Sequence, residues 1–211
     1  ARGHLTNAQD VPPFTAATGR GYTMRHIIVA GVVHLAFGAV TVLPASAEDG
    51  GNTLPADDPM VQIDQFFIDV YEYPNALGMR PRVNVTYGEA EKLCAERKKR
   101  LCTEQEWQLA ATGPENHTYG YGERFESGRC NTPLLLNGAW VGGRELAPSG
   151  FFAQCINSYG LHDMIGNVWE WTSTWYDEEK GWRIVRGGSY FHSANMARTE
   201  VRYGRYLDAE Y

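Results

Sequence analysis

Four cysteines are the residues of this 211-residue chain whose type most directly allows redox or metal chemistry: Cys94, Cys102, Cys130 and Cys155. No C-x-x-C pair is present, which argues against a thioredoxin-like redox pair and against a structural zinc site. In an oxidising compartment an even number of cysteines predicts disulfides, although several connectivities are possible. We therefore expect structural rather than catalytic thiols.

Hard oxygen donors lie close together in the segment G-N-V-W-E. Asn167 and Glu170 supply side-chain oxygens, and with neighbouring backbone carbonyls they could gather the roughly six to eight oxygens that Ca²⁺ takes. In the alternative, Glu170 pairs with a buried arginine such as Arg186, and Asn167 caps a turn. The residues alone leave both interpretations open.

One segment near the end of the chain combines basic, acidic and phenolic groups, as general acid–base catalysis requires. Its members are His192, Arg198, Glu200, Arg202 and Tyr203. These are weak catalytic candidates, because an ion-paired, solvated strand edge would have the same composition.

Several local patterns predict the elements that must position these groups. The mixture of β-branched and aromatic residues from Val61 to Tyr73 favours one or two strands. Two S/T-x-x-E capping boxes predict a helix from Tyr87 to Arg97 and a second helix that begins after Thr103. Short strand-like pieces follow at residues 168–171 and 183–186.

The long segment from Gly113 to Gly160 has few periodic apolar positions, and we predict no element in it. A loop of this length in a compact domain is usually functional or pinned. Cys130 and Cys155 lie inside it, and a bridge between them would remove much of its conformational entropy. We therefore predict a Cys130–Cys155 disulfide and assign no partner to Cys94 or Cys102.

The overall composition is that of a loop-rich globular domain rather than a disordered chain or a coiled coil. Aromatic residues make up 12% of the chain, and 23 residues are glycine. The net charge is −6, and the densest basic run is the short one from Arg97 to Arg100. A nucleic-acid partner is therefore not expected.

A targeting signal is predicted at residues 24–47. Met24-Arg25-His26 precede an apolar stretch, and Pro44-Ala45-Ser46-Ala47 resembles a cleavage site. The stretch is interrupted by His34 and is shorter than the roughly 20 residues of a spanning helix. We expect export to the periplasm or the extracellular space, cleavage after Ala47, and no stable membrane anchor after cleavage.

The predicted signal divides the chain into four parts. Residues 1–23 precede it, show no periodicity and are interpreted as an upstream extension that is not native to the domain. Residues 48–59 form a polar linker with two glycines and two prolines. Residues 60–211 form the folded domain.

Four motifs in order resemble those of the formylglycine-generating-enzyme family, also called the sulfatase-modifying-factor family. They are K-R-L-C-T-E-Q-E-W at 99–107, Y-G-L-H-D-M at 159–164, I-G-N-V-W-E-W at 165–171 and R-G-G-S-Y at 186–190. The resemblance covers about Val61 to Tyr211. It implies an α+β, C-type-lectin-like fold with loop-rich, twisted antiparallel sheets and two short helices.

The resemblance also implies calcium. Family members hold this ion with the G-N-x-W-E segment, which assigns Gly166, Asn167, Val168 and Glu170 to a calcium site, the glycine and valine through their carbonyls. A second family site would begin near Asn131 and Thr132, and we predict it only weakly because its acidic partner has no counterpart here.

The chain departs from the family at the residues that perform its best known chemistry. Members oxidise a substrate cysteine to formylglycine with Cu(I) held by two cysteines after the R-G-G-S segment, but His192 and Ala197 occupy those positions here. Because Cu(I) requires soft ligands, copper is not expected. Members also end in G-F-R-C, whose cysteine pairs with the position of Cys94, so the domain is expected to be truncated at its C-terminus.

Together these observations predict an exported, calcium-stabilised domain of this family that binds a protein or small-molecule ligand. An alternative is an oxidoreductase or maturation enzyme that uses non-copper chemistry on the same scaffold. Genuine formylglycine generation on sulfatases is the least favoured function. The residues alone do not decide whether the domain is an enzyme.

Overall fold

The computed structural model describes residues 2–6, 58–141 and 145–210. The predicted signal at 24–47, residues 7–23 and residues 48–57 of the predicted linker lie outside this part of the chain. The strands are β1 (Gly3–Thr6), β2 (Met60–Ile63), β3 (Phe66–Asp69), β4 (Arg100–Leu101), β5 (Leu134–Leu136), β6 (Ala139–Val141), β7 (Glu170–Asp177), β8 (Trp182–Arg186) and β9 (Tyr203–Tyr206), and the helices are α1 (Tyr87–Glu96) and α2 (Glu104–Thr112). No helix in these residues has the length and apolar character of a membrane span.

Both helices begin where their capping boxes predict. Thr86 caps α1 and Thr103 caps α2, and in each case the threonine and the glutamate three residues later satisfy each other's backbone N–H groups. Helix α2 ends at Thr112, and its C-cap Gly113 turns the backbone to φ +69°. Short-range physics therefore determines both ends of this element.

Three antiparallel sheets surround the helices. The first has the strand order β2-β3-β1-β4, the second is the β5-β6 hairpin, and the third has the order β7-β8-β9. All strand pairs are antiparallel. The fold is thus the α+β arrangement of antiparallel sheets and two short helices that the sequence predicts.

The first strand differs from the sequence-based expectation. Residues 1–23 were expected to form an extension outside the domain, yet Gly3–Thr6 form an internal strand that pairs with β3 on one side and β4 on the other. A four-residue strand has too few positions to show a periodicity, so only its tertiary partners identify it.

The residue before this strand is a buried cation. The Arg2 guanidinium donates from Nε to both Glu170 carboxylate oxygens, at 3.0 and 3.2 Å, and from Nη1 to the carbonyls of Asp69 and Val70 at 2.9 and 2.7 Å. Its Nη2 donates to the His162 carbonyl. The Arg2 side chain has no solvent exposure, and it ties the first sheet to the start of β7.

Residues 113–160 contain more structure than predicted. An Asn137-Gly138 turn, with both residues at positive φ, connects β5 to β6. Asn-Gly between two apolar runs is a strong hairpin signal that the sequence contains. The predicted Cys130–Cys155 disulfide is confirmed.

The core consists of three buried clusters. The first lies between the first sheet and α2, the second between α1 and the third sheet, and the third around the disulfide. Their principal members are Ile68, Trp107 and Leu161 in the first, Ala90, Trp171 and Val185 in the second, and Cys130, Cys155, Ile165 and Ala197 in the third.

Removal of the disulfide tests how much it stabilises the loop. In the chain-entropy account, the free energy of unfolding of the Cys130→Ala/Cys155→Ala variant should be about 3 to 4 kcal/mol lower than that of the wild type, because the bridge closes a loop of intermediate length. Urea unfolding followed by tryptophan fluorescence measures the difference. The unfolding curve of the wild type in reductant should approach that of the variant. Indistinguishable curves for the oxidised wild type and the variant would contradict the structural role.

Substitution of Arg2 tests whether β1 belongs to the folded domain. Arg2→Met leaves Glu170 buried without its cation, so the free energy of unfolding should fall by about 3 to 5 kcal/mol. The matched control is Arg198→Met, since Arg198 pairs with Glu200 at the surface and such pairs contribute about 0 to 1 kcal/mol. Equally small losses in both variants would refute the placement of β1.

Candidate functional site around Trp169 and His192

Two motif segments lie side by side and form the base of the candidate site. Gly166 N–H donates to the Gly187 carbonyl at 2.8 Å, and Tyr190 N–H donates to the Asn167 carbonyl at 3.0 Å. Gly188 has φ +77°, and a Cβ atom there would lie 3.0 Å from the Met196 carbonyl oxygen. Glycine is therefore required for residues 194–197 to approach this turn.

His192 is held against Ser189 and Trp169. The Ser189 hydroxyl lies 2.6 Å from His192 Nδ1, and Trp169 Nε1 lies 3.3 Å from the same atom. Because an indole N–H can only donate, Nδ1 is an acceptor and the hydrogen of the neutral ring is on Nε2. Burial lowers the pKa of His192, and the positive charge of Arg205 lowers it further. The ring is therefore neutral at pH 7.

The second position that departs from the family motif is fully enclosed. Ala197 has no exposed surface and packs in the same cluster as Ile165 and the Cys130–Cys155 disulfide. The two free thiols of the chain are elsewhere, since Cys94 and Cys102 lie 3.9 and 4.0 Å from the Arg2 carbonyl oxygen. Neither position 192 nor position 197 therefore carries a thiol.

The other weak catalytic candidates divide into two groups. Tyr203 packs its ring against Trp169, with centroids 5.9 Å apart, so the structure brings it together with His192. Arg198 and Glu200 instead form an exposed ion pair at 2.8 Å, and Arg202 pairs with Glu104 at 2.5 Å. These three side chains therefore form ion pairs, as in the solvated strand edge that was the alternative to a catalytic cluster.

Aromatic rings continue from this position to the surface. Phe191 is 55% exposed, and its ring lies 5.0 Å from that of Tyr190 and 4.3 Å from that of His192. The guanidinium of Arg205 lies 4.2 Å above the Tyr203 ring. We call the surface formed by Tyr190, Phe191, His192 and Tyr203, above the buried Trp169 ring, the aromatic face.

The two predicted calcium segments meet in a buried polar cluster. Asn131 Nδ2 donates to Asn167 Oδ1 at 2.8 Å, and Asn167 N–H donates to the Asn131 carbonyl at 2.9 Å. Asn167 Nδ2 donates to Glu72 Oε2, which also accepts from the Ser149 hydroxyl. Glu72 Oε1 and Asn131 Oδ1 are buried and have no hydrogen-bond partner among the described residues. Thr132 is buried beside this cluster.

Glu170 takes a different role from the predicted one. Its carboxylate accepts from Arg2 and, at 2.9 Å, from Trp107 Nε1. Arg186, the arginine suggested as its alternative partner, instead pairs with Glu104 at 2.6 Å. The Glu170 carboxylate therefore does not fit the predicted set of calcium ligands, because both of its oxygens accept from the chain. A buried arginine does pair with Glu170, but it is Arg2.

Buried carboxylates surround Arg2. Burial raises the pKa of Glu72 well above its usual value and that of Asp163 to about 6, and the neighbouring Glu170 charge adds to both effects. Burial alone would lower the pKa of Arg2, but the charges of Glu170, Glu72 and Asp163 outweigh it and raise the pKa. A cation bound in this region would favour the ionised forms of these carboxyl groups and lower their pKa values.

Four residues of this region were missed by the sequence-based predictions: Arg2, Glu72, Ser149 and Asp163. Asp163 had a usable signal, because an acid between Leu161 and Met164 in an apolar run indicates a paired, buried carboxylate. Arg2 had none, since its partners are more than sixty positions away in the sequence. The described residues contain no group of three or more His, Cys, Asp or Glu side chains arranged around a common metal position.

Comparisons with known proteins agree with these motifs. The family described as "Sulfatase-modifying factor enzyme 1-like domain" matches residues 48–209. The chain is 36% identical over 143 residues to the inactive C-alpha-formylglycine-generating enzyme 2 of Bos taurus, with 61% of this chain and 46% of that protein covered. It is 41% identical over 104 residues to a formylglycine-generating enzyme of Mycobacterium tuberculosis, with 44% of this chain and 33% of that protein covered.

A solved structure supports the fold. PvdO from Pseudomonas aeruginosa superposes with a TM-score of 0.52 and 20% identity, covering 62% of this chain and 58% of that one. The chain spans less than half the length of the two curated relatives. From the family match over residues 48–209 and the four motifs, we conclude that this chain belongs to the sulfatase-modifying-factor, or formylglycine-generating-enzyme, family.

Proposed function

We propose that this domain is a non-catalytic member of its family that binds a protein or small-molecule ligand through the aromatic face. The observation that carries the proposal is the pair His192 and Ala197 at the positions where the family motif has cysteines. One buried methyl group and one imidazole, already hydrogen-bonded at Nδ1, replace two soft thiolates. Such a pair does not form a tight Cu(I) site.

The aromatic face supports binding for physical reasons. Exposed rings offer large apolar area that loses little side-chain entropy on binding, and aromatic residues are enriched in binding surfaces. Arg205 adds a positive charge next to Tyr203. A ligand with a flat or apolar portion and a negative group would complement both features.

Export is part of the proposal. A disulfide in the domain is typical of proteins from oxidising compartments. The predicted signal at residues 24–47 leads to the same location, the periplasm or the extracellular space.

Calcium binding is also part of the proposal, with Gly166, Asn167 and Val168 of the first predicted site and Asn131 and Thr132 of the second. The two unpartnered buried oxygens, Glu72 Oε1 and Asn131 Oδ1, are the hard donors that Ca²⁺ prefers. Bound calcium would supply positive charge beside Glu72 and neutralise it, a structural rather than catalytic contribution. Glu170 stays with Arg2 in this proposal.

A copper assay tests the loss of the family chemistry. The purified chain, titrated with Cu(I) against a chromogenic competitor, should take up no copper tightly, because positions 192 and 197 carry no thiol and the two free thiols, Cys94 and Cys102, are buried. With a cysteine-containing peptide it should consume no more O₂ than buffer does. Uptake of one Cu(I) per chain together with peptide-dependent O₂ consumption, both lost in His192→Ala, would overturn the proposal.

A thermal-shift experiment tests calcium. At a calcium concentration a hundred times Kd, the stabilisation is about 2.7 kcal/mol, which raises Tm by on the order of 5 to 10 °C for a chain of this size. Glu72→Gln should abolish the calcium-dependent shift, because it removes the carboxylate that would bind the ion, whereas the exposed Glu123→Gln should retain it. The same shift in Glu72→Gln as in wild type, or no shift in wild type relative to chelator, would contradict the calcium site.

A further inference from the structure

Two turns present the most exposed large hydrophobic side chains of the described residues. Phe151 is 70% exposed, Leu77 is 66% exposed and Met79 is 53% exposed. Single exposed apolar residues are common, but a contiguous exposed apolar patch usually marks an interaction surface. We call Leu77, Met79 and Phe151 the apolar tip.

Backbone hydrogen bonds join the two turns into one surface. Gly78 N–H donates to the Ser149 carbonyl at 2.9 Å, and Ser149 N–H donates to the Met79 carbonyl at 2.8 Å. Gly150 has φ +74°, and a Cβ atom there would lie 2.5 Å from Leu77 Cδ1. Glycine is therefore required for Leu77 to lie against the turn that carries Phe151.

Buried polar groups fix both turns from beneath. The Ser149 hydroxyl donates to Glu72 Oε2 at 2.8 Å, and Gly150 N–H donates to Asp163 Oδ2 at 2.7 Å. In the first turn, the buried Asn75 accepts from Tyr71 N–H at 3.0 Å. Because these anchors hold the backbone, the apolar tip cannot fold back onto the core, and its exposure is a property of the fold.

The exposed charge next to the apolar tip is positive. Arg80 and Arg82 are exposed, and neither is in an ion pair with another described residue. Residues 77–82 contain no acid, and Glu72 and Asp163, which bond to the second turn, are buried. Exposed charges more than about 8 Å away are largely screened at physiological salt. The two arginines, rather than the net charge of the chain, therefore determine what this surface attracts.

We propose that the apolar tip, together with Arg80 and Arg82, docks on the surface of an anionic lipid bilayer. Aliphatic and aromatic side chains enter the boundary between headgroups and acyl chains, while guanidinium groups bind lipid phosphates. A fluid bilayer accepts side chains that protrude from two turns without offering a matching groove. The contact is peripheral and reversible, unlike a membrane anchor. It rests neither on the aromatic face nor on calcium.

Fluorine NMR of the full chain tests where lipid contacts the domain. One sample carries 4-fluorophenylalanine in place of Phe151, and the control carries it in place of Phe191, which is 55% exposed on the aromatic face. Each is mixed with lipid nanodiscs that contain phosphatidylglycerol, with and without a spin-labelled lipid. The spin label should broaden the signal from position 151 far more than the signal from position 191, and nanodiscs of phosphatidylcholine alone should broaden both less.

Two outcomes of this experiment would overturn the proposal. The first is equal broadening at the two positions, or none at position 151, which would leave the apolar tip to an acidic protein partner. The second is a signal from position 151 that shifts with protein concentration in the absence of lipid, which would assign the tip to a second copy of the chain.

Variants of the full chain test the apolar and charged parts separately. Leu77→Ser/Phe151→Ser should bind phosphatidylglycerol nanodiscs roughly 10- to 100-fold more weakly than the wild type, because two large side chains no longer enter the lipid. Arg80→Gln/Arg82→Gln should lose most of the dependence of binding on salt.

The matched control is Leu136→Ser/Phe191→Ser, which removes two side chains that are 53% and 55% exposed elsewhere on the surface. It should bind the nanodiscs like the wild type. All of these positions are exposed, so equal Tm values should confirm that each variant is folded. Equal binding by the control and by Leu77→Ser/Phe151→Ser would refute docking through the apolar tip.

Discussion

The buried Arg2 guanidinium is the charge on which the arrangement of the domain depends. It lies among Glu170, Glu72 and Asp163, and its N–H groups reach a carboxylate and three carbonyls from different parts of the chain. Burial of so many carboxylates is tolerable only with an internal cation and full hydrogen bonding. The same contact holds β1 in the first sheet, anchors the start of β7, and leaves Trp107 on α2 bonded to Glu170.

Around this centre, the family motifs provide a scaffold whose chemistry depends on a few positions. The G-N-V-W segment and the R-G-G-S turn hold each other through backbone hydrogen bonds and positive-φ glycines. They position Trp169 and Ser189 next to His192. A histidine and a buried alanine occupy the two positions where the family motif has cysteines. Scaffold and activity can therefore separate within one family.

Sequence reasoning recovered the parts of the structure that are determined locally. Both capping boxes predicted their helices because an N-cap threonine and a nearby glutamate complete each other's hydrogen bonds. The Cys130–Cys155 bridge followed from the length of the loop that it pins. The Asn137-Gly138 hairpin carried an equally local signal and was overlooked.

The partner of Glu170 and the strand at residues 3–6 could not be predicted, because both depend on contacts between residues that are far apart in the sequence. A carboxylate next to an asparagine suits a calcium ion and a salt bridge equally well, and no local pattern distinguishes them. The unpaired oxygens of Glu72 and Asn131 likewise appear only once three distant segments meet.

The most direct test of the central ion pair is NMR detection of arginine side-chain Nε–H groups in isotope-labelled protein. We expect the Arg2 Nε–H to exchange with water far more slowly than that of an exposed arginine such as Arg124. We also expect a nuclear Overhauser effect from this proton to the indole N–H of Trp107. An Arg2 Nε–H that exchanges as freely as that of Arg124, without that contact, would show that Glu170 lacks this partner and would contradict the account.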